Sequence, residues 1–258
     1  IFYIYILLNS IFSIDPFLSL ESSLFYFRFL FFSLCVAMLY EKYPNLLIQL
    51  GISIFIAFII LSLDSYYQII FKENIIGLDK PSDFRTSSFF GDKFVLGSYI
   101  SRLLPFCLIF LLNIKQISKF RTIIIFLFIL NLLYIVINTG ERVSLFYFFL
   151  ILIINAIYNK KNIYLGLTFI CSSIIFLFLV LSLTPAVKER IIDNTKNQIG
   201  YDKKISDIKL FSNNHQAHFI TAYQMFLEKP IIGHGPKLFR KICKDKKYSH
   251  LNGCSTHP

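Results

Sequence analysis

Three kinds of side chain in this sequence can do chemistry. The first is a set of arginines, Arg85 and Arg142 beside long apolar runs and Arg102 inside one. Guanidinium groups bind phosphate oxygens by paired hydrogen bonds, so several converging on one place suit a phosphate or pyrophosphate group. Such a cluster matters most when the pyrophosphate leaves, which is a group-transfer chemistry. The second is His257, in the closing run Cys254, Ser255, Thr256, His257, Pro258. A neutral imidazole near pH 7 can take a proton from an attacking hydroxyl. The third is the pair Cys243 and Cys254, which can close a disulfide if their segment faces an oxidising compartment. Each has a plainer alternative. An arginine near a bilayer can snorkel to the headgroups or pair with Glu21 or Glu141, and a lone surface histidine can simply be solvated. The histidines and cysteines of the tail, His215, His218, His234, Cys243, His250, Cys254 and His257, lack the tight paired spacings of zinc sites, so no metal is expected.

The elements that must position these groups are apolar. Of 258 residues 55% are hydrophobic, 30 are Phe and none is Trp, and the mean hydropathy is +0.63. A single soluble core does not use that much apolar surface, so the expected fold is all-α, a polytopic transmembrane helical bundle. The sequence opens on Ile1 inside an apolar run and reads as a piece cut at both ends. Its net charge of +11 would point to nucleic acid in a soluble protein. Here the basic residues lie between apolar runs, so lipid headgroups or a phosphorylated lipid are the expected partners and nucleic acid is not. Cys35, Cys107 and Cys171 fall inside apolar runs and read as packing residues.

Apolar runs recur near 1–14, 22–40, 46–63, 94–112, 122–138, 143–158 and 162–183, which predicts about seven spans with the first truncated. Lys42, Lys115, Lys119, Arg121, Lys160 and Lys161 mark alternate turns as cytoplasmic. The loop 64–93, the turn 138–142 and the tail from Thr184 then face outward, and the tail is long enough to translocate despite its charge. Arg102 falls ~12 Å into its helix at 1.5 Å per residue. A charge at that depth costs roughly 2.5–3.5 kcal/mol on insertion scales, which makes Arg102, like Arg28, a candidate for function. The division is thus 1–183 as transmembrane bundle and 184–258 as a large periplasmic region, mostly helix and coil. In that region a helix is expected from about His215, with Phe219, Tyr223 and Phe226 at helical spacing and an end at Lys229 and Pro230. A glycine-bearing turn, Gly233 to Pro236, follows it.

The order of several segments resembles the O-antigen ligase and O-antigen polymerase superfamily. These are Arg85 after the third span, Ser87 to Asp92 leading into Leu96 to Tyr99, the turn Thr139 to Arg142, the run Pro230 to Phe239, and the end Ser255 to Pro258. The likeness runs over nearly the whole chain and rests on the order of the motifs. It implies a multi-helix inner-membrane glycosyltransferase that uses no metal or other cofactor. Such an enzyme moves a glycan from undecaprenyl pyrophosphate to an acceptor hydroxyl, such as that of the lipid A core, on the periplasmic face. By the same resemblance Arg142 engages the pyrophosphate, Arg85 and Arg102 belong to the same phosphate cluster, and His218 either helps position the donor or simply caps or faces its own helix. His257 matches the first histidine of a His-Pro-His-Asn signature, and the catalytic base is either His257 or the second histidine of that signature, which would follow Pro258. A repeat-unit polymerase and a protein O-oligosaccharyltransferase share this layout. From another class, a flippase or transporter for an anionic lipid would use the same arginines as a translocation path.

Overall fold

The computed structural model describes residues 1–43, 45–82, 85–113, 119–158, 163–199, 213–249 and 253–254. The all-helical expectation holds: among these residues extended pairing is limited to two isolated bridges, Glu73 with Asp79 and Ser82 with Arg85. The helices are α1 (Phe2–Ile11), α2 (Pro16–Ser23), α3 (Phe27–Lys42), α4 (Leu46–Phe71), α5 (Leu96–Asn113), α6 (Lys119–Asn138), α7 (Arg142–Tyr158), α8 (Ile163–Leu183), α9 (Pro185–Lys188), α10 (Asn194–Ile199), α11 (Asn213–Glu228), α12 (Phe239–Ile242) and α13 (Lys246–Ser249). Every apolar run read from the sequence carries a helix. Among the described residues, three segments are long and apolar enough to cross a membrane: Pro16–Lys42, in which α2 and α3 run on through one 3₁₀ turn, Leu46–Phe71, and Ile163–Leu183. That marks the chain as membrane-associated.

Local chemistry sets the helix ends. Asp15 caps α2, its carboxylate accepting from Leu18 N at 3.2 Å, and Pro16 takes the first helical position, where a missing N–H costs nothing. The helix α4 has 26 residues, about 39 Å at 1.5 Å per residue. It runs eight residues beyond the apolar stretch 46–63. Asp64, Ser65 and Gln68 look like loop residues in sequence, yet all three are fully buried on one face of the extended helix. Asp64 accepts from Ile75 N at 2.9 Å and from Ser88 Oγ. Gln68 Oε1 accepts from Ser87 N at 2.9 Å and Ser88 N at 2.8 Å. Polar side chains extend the helix because they bond the backbone of the following loop, which would otherwise be buried with unmet donors.

The chain groups into two compact units, residues 43–195 and residues 1–42 with 196–258. This grouping follows contacts, whereas the division at 183/184 follows polarity. In the first unit α4 to α8 pack on one another around a core that includes Phe58, Leu96, Ile100, Leu104, Leu132, Ile135 and Phe148. In the second, the segment after α11 docks on the first two helices. Ser19 Oγ donates to Pro236 O at 3.0 Å, Tyr5 OH donates to Ile231 O, and Asn9 Nδ2 donates to Ile232 O. Lys237 pairs with Glu21 at 2.9 Å and Lys241 with Asp15 at 2.7 Å. A small core of Met225, Leu238, Ile242, Cys243 and Tyr248 completes this unit.

Candidate functional site

The unit 43–195 gathers most of its buried polar residues at one end. The C-terminal part of α4, the start of α5, the end of α6 and the start of α7 meet there: Asp64, Gln68, Thr86, Ser87, Ser88, Asn138, Thr139 and Ser144 are all buried. Thr86 N donates to Asn138 O at 3.0 Å, which ties the loop before α5 to the end of α6.

The turn between α6 and α7 is the pivot. Gly140 adopts φ +65°, a conformation glycine reaches without the cost a Cβ would bring. The next residue, Glu141, aims its carboxylate at the N-terminus of α5. It accepts from Gly97 N and Ser98 N, both at 3.1 Å, from Ser98 Oγ at 2.8 Å and from Ser144 Oγ at 2.6 Å. Two otherwise unmet helix donors are satisfied, and a negative charge sits at the positive end of the helix dipole. Gly97 allows the approach, since a Cβ there would fall 2.6 Å from Thr139 Oγ1. The same carboxylate that is held by α5 and Ser144 also acts electrostatically on Arg85.

With Glu141 so held, Arg142 opens α7 and its Nη2 donates to the carbonyl of Arg190 at 3.1 Å. Arg190 lies in a single π-helical turn, Glu189–Asp193, that follows α9. Arg85 stacks its guanidinium over the ring of Phe94, 3.8 Å from the ring centre. Burial holds the Arg85 pKa below its ordinary value, and the nearby positive charge of Arg190, then Arg142, acts in the same direction against the pull of Glu141. Arg85, Arg142 and Arg190 therefore form one electrostatic cluster. The side-chain atoms Ser65 Oγ, Gln68 Nε2, Arg85 Nε, Thr86 Oγ1, Ser87 Oγ and Arg190 Nε are buried with no hydrogen-bond partner among the described residues. All six can donate, and a concentration of unmet buried donors around like charges is what an anion would satisfy.

The structure brings together Arg85 and Arg142 and adds Arg190, which the sequence reading passed over inside a tail of mixed charge. A signal was there: Val187, Ile191 and Ile192 flank it, and they pack on the main core. Arg102 is exposed on α5, with no contact to this cluster among the described residues. His218 belongs to the other unit, its ring 5.7 Å from that of Phe239. It lines a cavity of about 530 Å³ with His215, Phe219, Arg240, Lys244 and Cys254. Cys243 and Cys254 are joined by a disulfide, with their Cα atoms 5.6 Å apart. His234 meets Met225 O through Nε2 at 3.2 Å. His257 lies outside the described residues. Among those described, no group of three or more His, Cys, Asp or Glu side chains is arranged to hold a metal ion. No protein-family model, curated protein or solved structure matches the chain.

Proposed function

We propose that this chain is a glycosyltransferase of the kind the O-antigen ligase and polymerase superfamily represents. In this reading it is a polytopic helical bundle of the bacterial inner membrane with a large periplasmic region. It moves a glycan from undecaprenyl pyrophosphate to an acceptor hydroxyl, the lipid A core being the first acceptor to test. The observation that carries the reading is the cluster of Arg85, Arg142 and Arg190 at the polar end of an otherwise apolar helical unit, amid unmet buried donors.

The chemistry follows from that cluster. The acceptor hydroxyl gives its proton to an imidazole, with His257 as the candidate, and its oxygen forms a bond to the anomeric carbon. The bond from that carbon to the pyrophosphate oxygen breaks, and the leaving group departs with one more negative charge. Guanidinium donors fixed at that oxygen stabilise the developing charge more than the ground state, which is how such groups accelerate transfer.

In membranes carrying the full-length protein and labelled lipid-linked glycan, Arg142→Ala should lower transfer about 10²- to 10³-fold, the usual effect of losing one such donor. Unchanged product removes the reading. Offering lipid A core, free glycan and protein acceptors in parallel separates ligase, repeat-unit polymerase and protein O-oligosaccharyltransferase. Movement of the lipid across vesicles without any transfer would instead favour a flippase.

A further inference from the structure

Ile231 and Ile232 are 82% and 54% exposed, although they belong to the turn after α11 and not to an apolar helix. Tyr223, Phe226 and Leu227 on α11 are exposed as well. Phe226, Ile231 and Ile232 border one recess together with Tyr5 of α1, so these side chains are neighbours in space. Single apolar residues scattered over a surface need no account, but a contiguous group marks contact with another molecule or with a membrane.

The turn is seated on the hairpin that α1 and α2 form. Ser13 Oγ donates to Ser19 Oγ at 3.0 Å and Ser10 Oγ bonds Ser23 Oγ, which sets the two helices antiparallel. Asn9, and with it Ile232 whose carbonyl it bonds, is therefore level with Ser23. Gly235 lies so close to the hairpin that a Cβ would fall 2.6 Å from Ser13 Cβ. The segment Pro16–Lys42 has 27 residues, about 40 Å at 1.5 Å per residue, against a hydrocarbon core of about 30 Å. Centred in that core, it leaves about 5 Å outside at each end, and Ser23, about 10 Å past Pro16, falls about 5 Å inside the edge. Peptide groups at such a depth have no water to bond, and this turn has other partners. Pro230 carries no N–H, Ile231 O and Ile232 O accept from Tyr5 and Asn9, and Gly233 N donates to Lys229 O at 2.9 Å. The ion pairs Lys237 with Glu21 and Lys241 with Asp15 lie nearer the start of the segment.

We infer that the turn Pro230 to Ile232, with the adjoining Phe226 of α11, inserts among the lipids at the Asp15 end of the segment Pro16–Lys42 and anchors the tail to the bilayer there. The occupant follows from continuity. Tyr5 shares its face of α1 with Phe2 and Leu8, both exposed, and only 6% of the most apolar stretch of Pro16–Lys42 is buried. The acyl chains that surround that span thus reach the turn along α1. Interfacial anchors place their apolar face roughly 5–10 Å into the boundary of headgroups and chains, which agrees with the depth of Ser23. Lys229, exposed at the end of α11, extends its apolar stem along the turn and its ammonium toward the phosphates. The inference does not depend on the glycan-transfer reading, since neither donor nor acceptor enters it.

The chain contains no Trp, so Ile231→Trp gives it a sole indole whose surroundings fluorescence reads directly. The whole chain is reconstituted in vesicles of phosphatidylcholine and phosphatidylglycerol, with bromine atoms either near the headgroup or deep in the acyl chain. Leu30→Trp, at an exposed position near the middle of Pro16–Lys42, is the reference for a lipid-facing indole. The Ile231→Trp emission should be blue-shifted, shielded from acrylamide in the water, and quenched more by the shallow bromines than by the deep ones. Leu30→Trp should show the opposite order of bromine depths. Ile232→Trp should repeat the Ile231→Trp result, so a folding defect in one variant does not decide the outcome. Quenching of both turn indoles by acrylamide and not by brominated lipid, with Leu30→Trp quenched by lipid, overturns the inference. Shielding from acrylamide and bromine alike also overturns it, because the turn would then be covered by protein, either a second copy of this chain or another partner.

Discussion

The two units fix their positive charges in opposite ways. In the unit 43–195 the arginines are placed by buried, neutral or singly charged polar groups that bond backbone: Asp64 and Gln68 hold the loop before α5, and Glu141 holds the turn before Arg142. No covalent link takes part. In the unit of 1–42 and 196–258 the cavity beside Arg240 and Lys244 is walled by α11 and the four-residue α12, and a disulfide with three ion pairs does the holding. Exposed ion pairs contribute little, typically under about 1 kcal/mol each, so the disulfide carries most of that constraint. Helix ends inside a packed bundle can supply buried polar anchors, whereas four-residue helices such as α12 and α13 have too little core to do so.

This contrast can be broken at several points. The largest effect should come from Arg190→Ala, which ought to reduce transfer about as far as Arg142→Ala, on the order of 10²-fold. Arg102→Ala, removing an exposed side chain that has no contact with the cluster, should change it by less than about threefold, within the range of ordinary surface substitutions. A large loss at Arg102 with none at Arg190 would move the anion site along α5. Next, Glu141→Ala should destabilise the unit 43–195 by about 2–4 kcal/mol, since hydrogen bonds to a charged acceptor contribute roughly 1.5–3 kcal/mol and several are lost. Thermal unfolding in detergent reads this, and a neutral outcome would mean the turn is held by other contacts.

On the other side, Cys254→Ser should cost about 2–3 kcal/mol, the loop-closure value for cysteines 11 residues apart. The loss should be local, seen as faster proteolysis after α11 with the unit 43–195 still protected; protection unchanged in both would show the staple to be redundant. The smallest effect concerns Tyr248. Its phenol is pushed up to about 12, first by burial and then by the Glu228 carboxylate it bonds. A raised folded-state pKa favours the protonated form, so this contribution is complete below the ordinary value near 10 and is lost as pH rises toward 12. Proteolysis between α11 and α13 should therefore increase over pH 10–12 in the parent and not in Tyr248→Phe.

The helices were legible because hydrophobic length is a strong signal: Leu46, Arg142 and Ile163 begin helices within one residue of where the apolar runs begin. The polar extension of α4 was not legible. Asp64 and Gln68 are spaced i, i+4 on one helix face, but what makes that face buried is a loop some twenty residues further on. Arg85 and Arg142 stood out as isolated charges beside apolar runs. Arg190 did not, because Lys188 and Glu189 beside it give the appearance of a solvated stretch, and only the packing of Val187, Ile191 and Ile192 turns it inward. Pairing of charges across a fold depends on which helix ends share a side, and local sequence does not report that.

Glu141 also sets a sum. The three guanidiniums bring three positive charges and its carboxylate returns one negative, so the described cluster carries a balance of two. A pyrophosphate esterified at both ends bears two negative charges, and the match would leave the occupied site electrically neutral. In the proposed transfer, the lipid pyrophosphate left after the glycan departs would hold a further ionisable oxygen, and the balance would be broken. The same carboxylate that anchors the turn would thus keep the site from gripping its product more tightly than its substrate demands, which favours release and a second turnover.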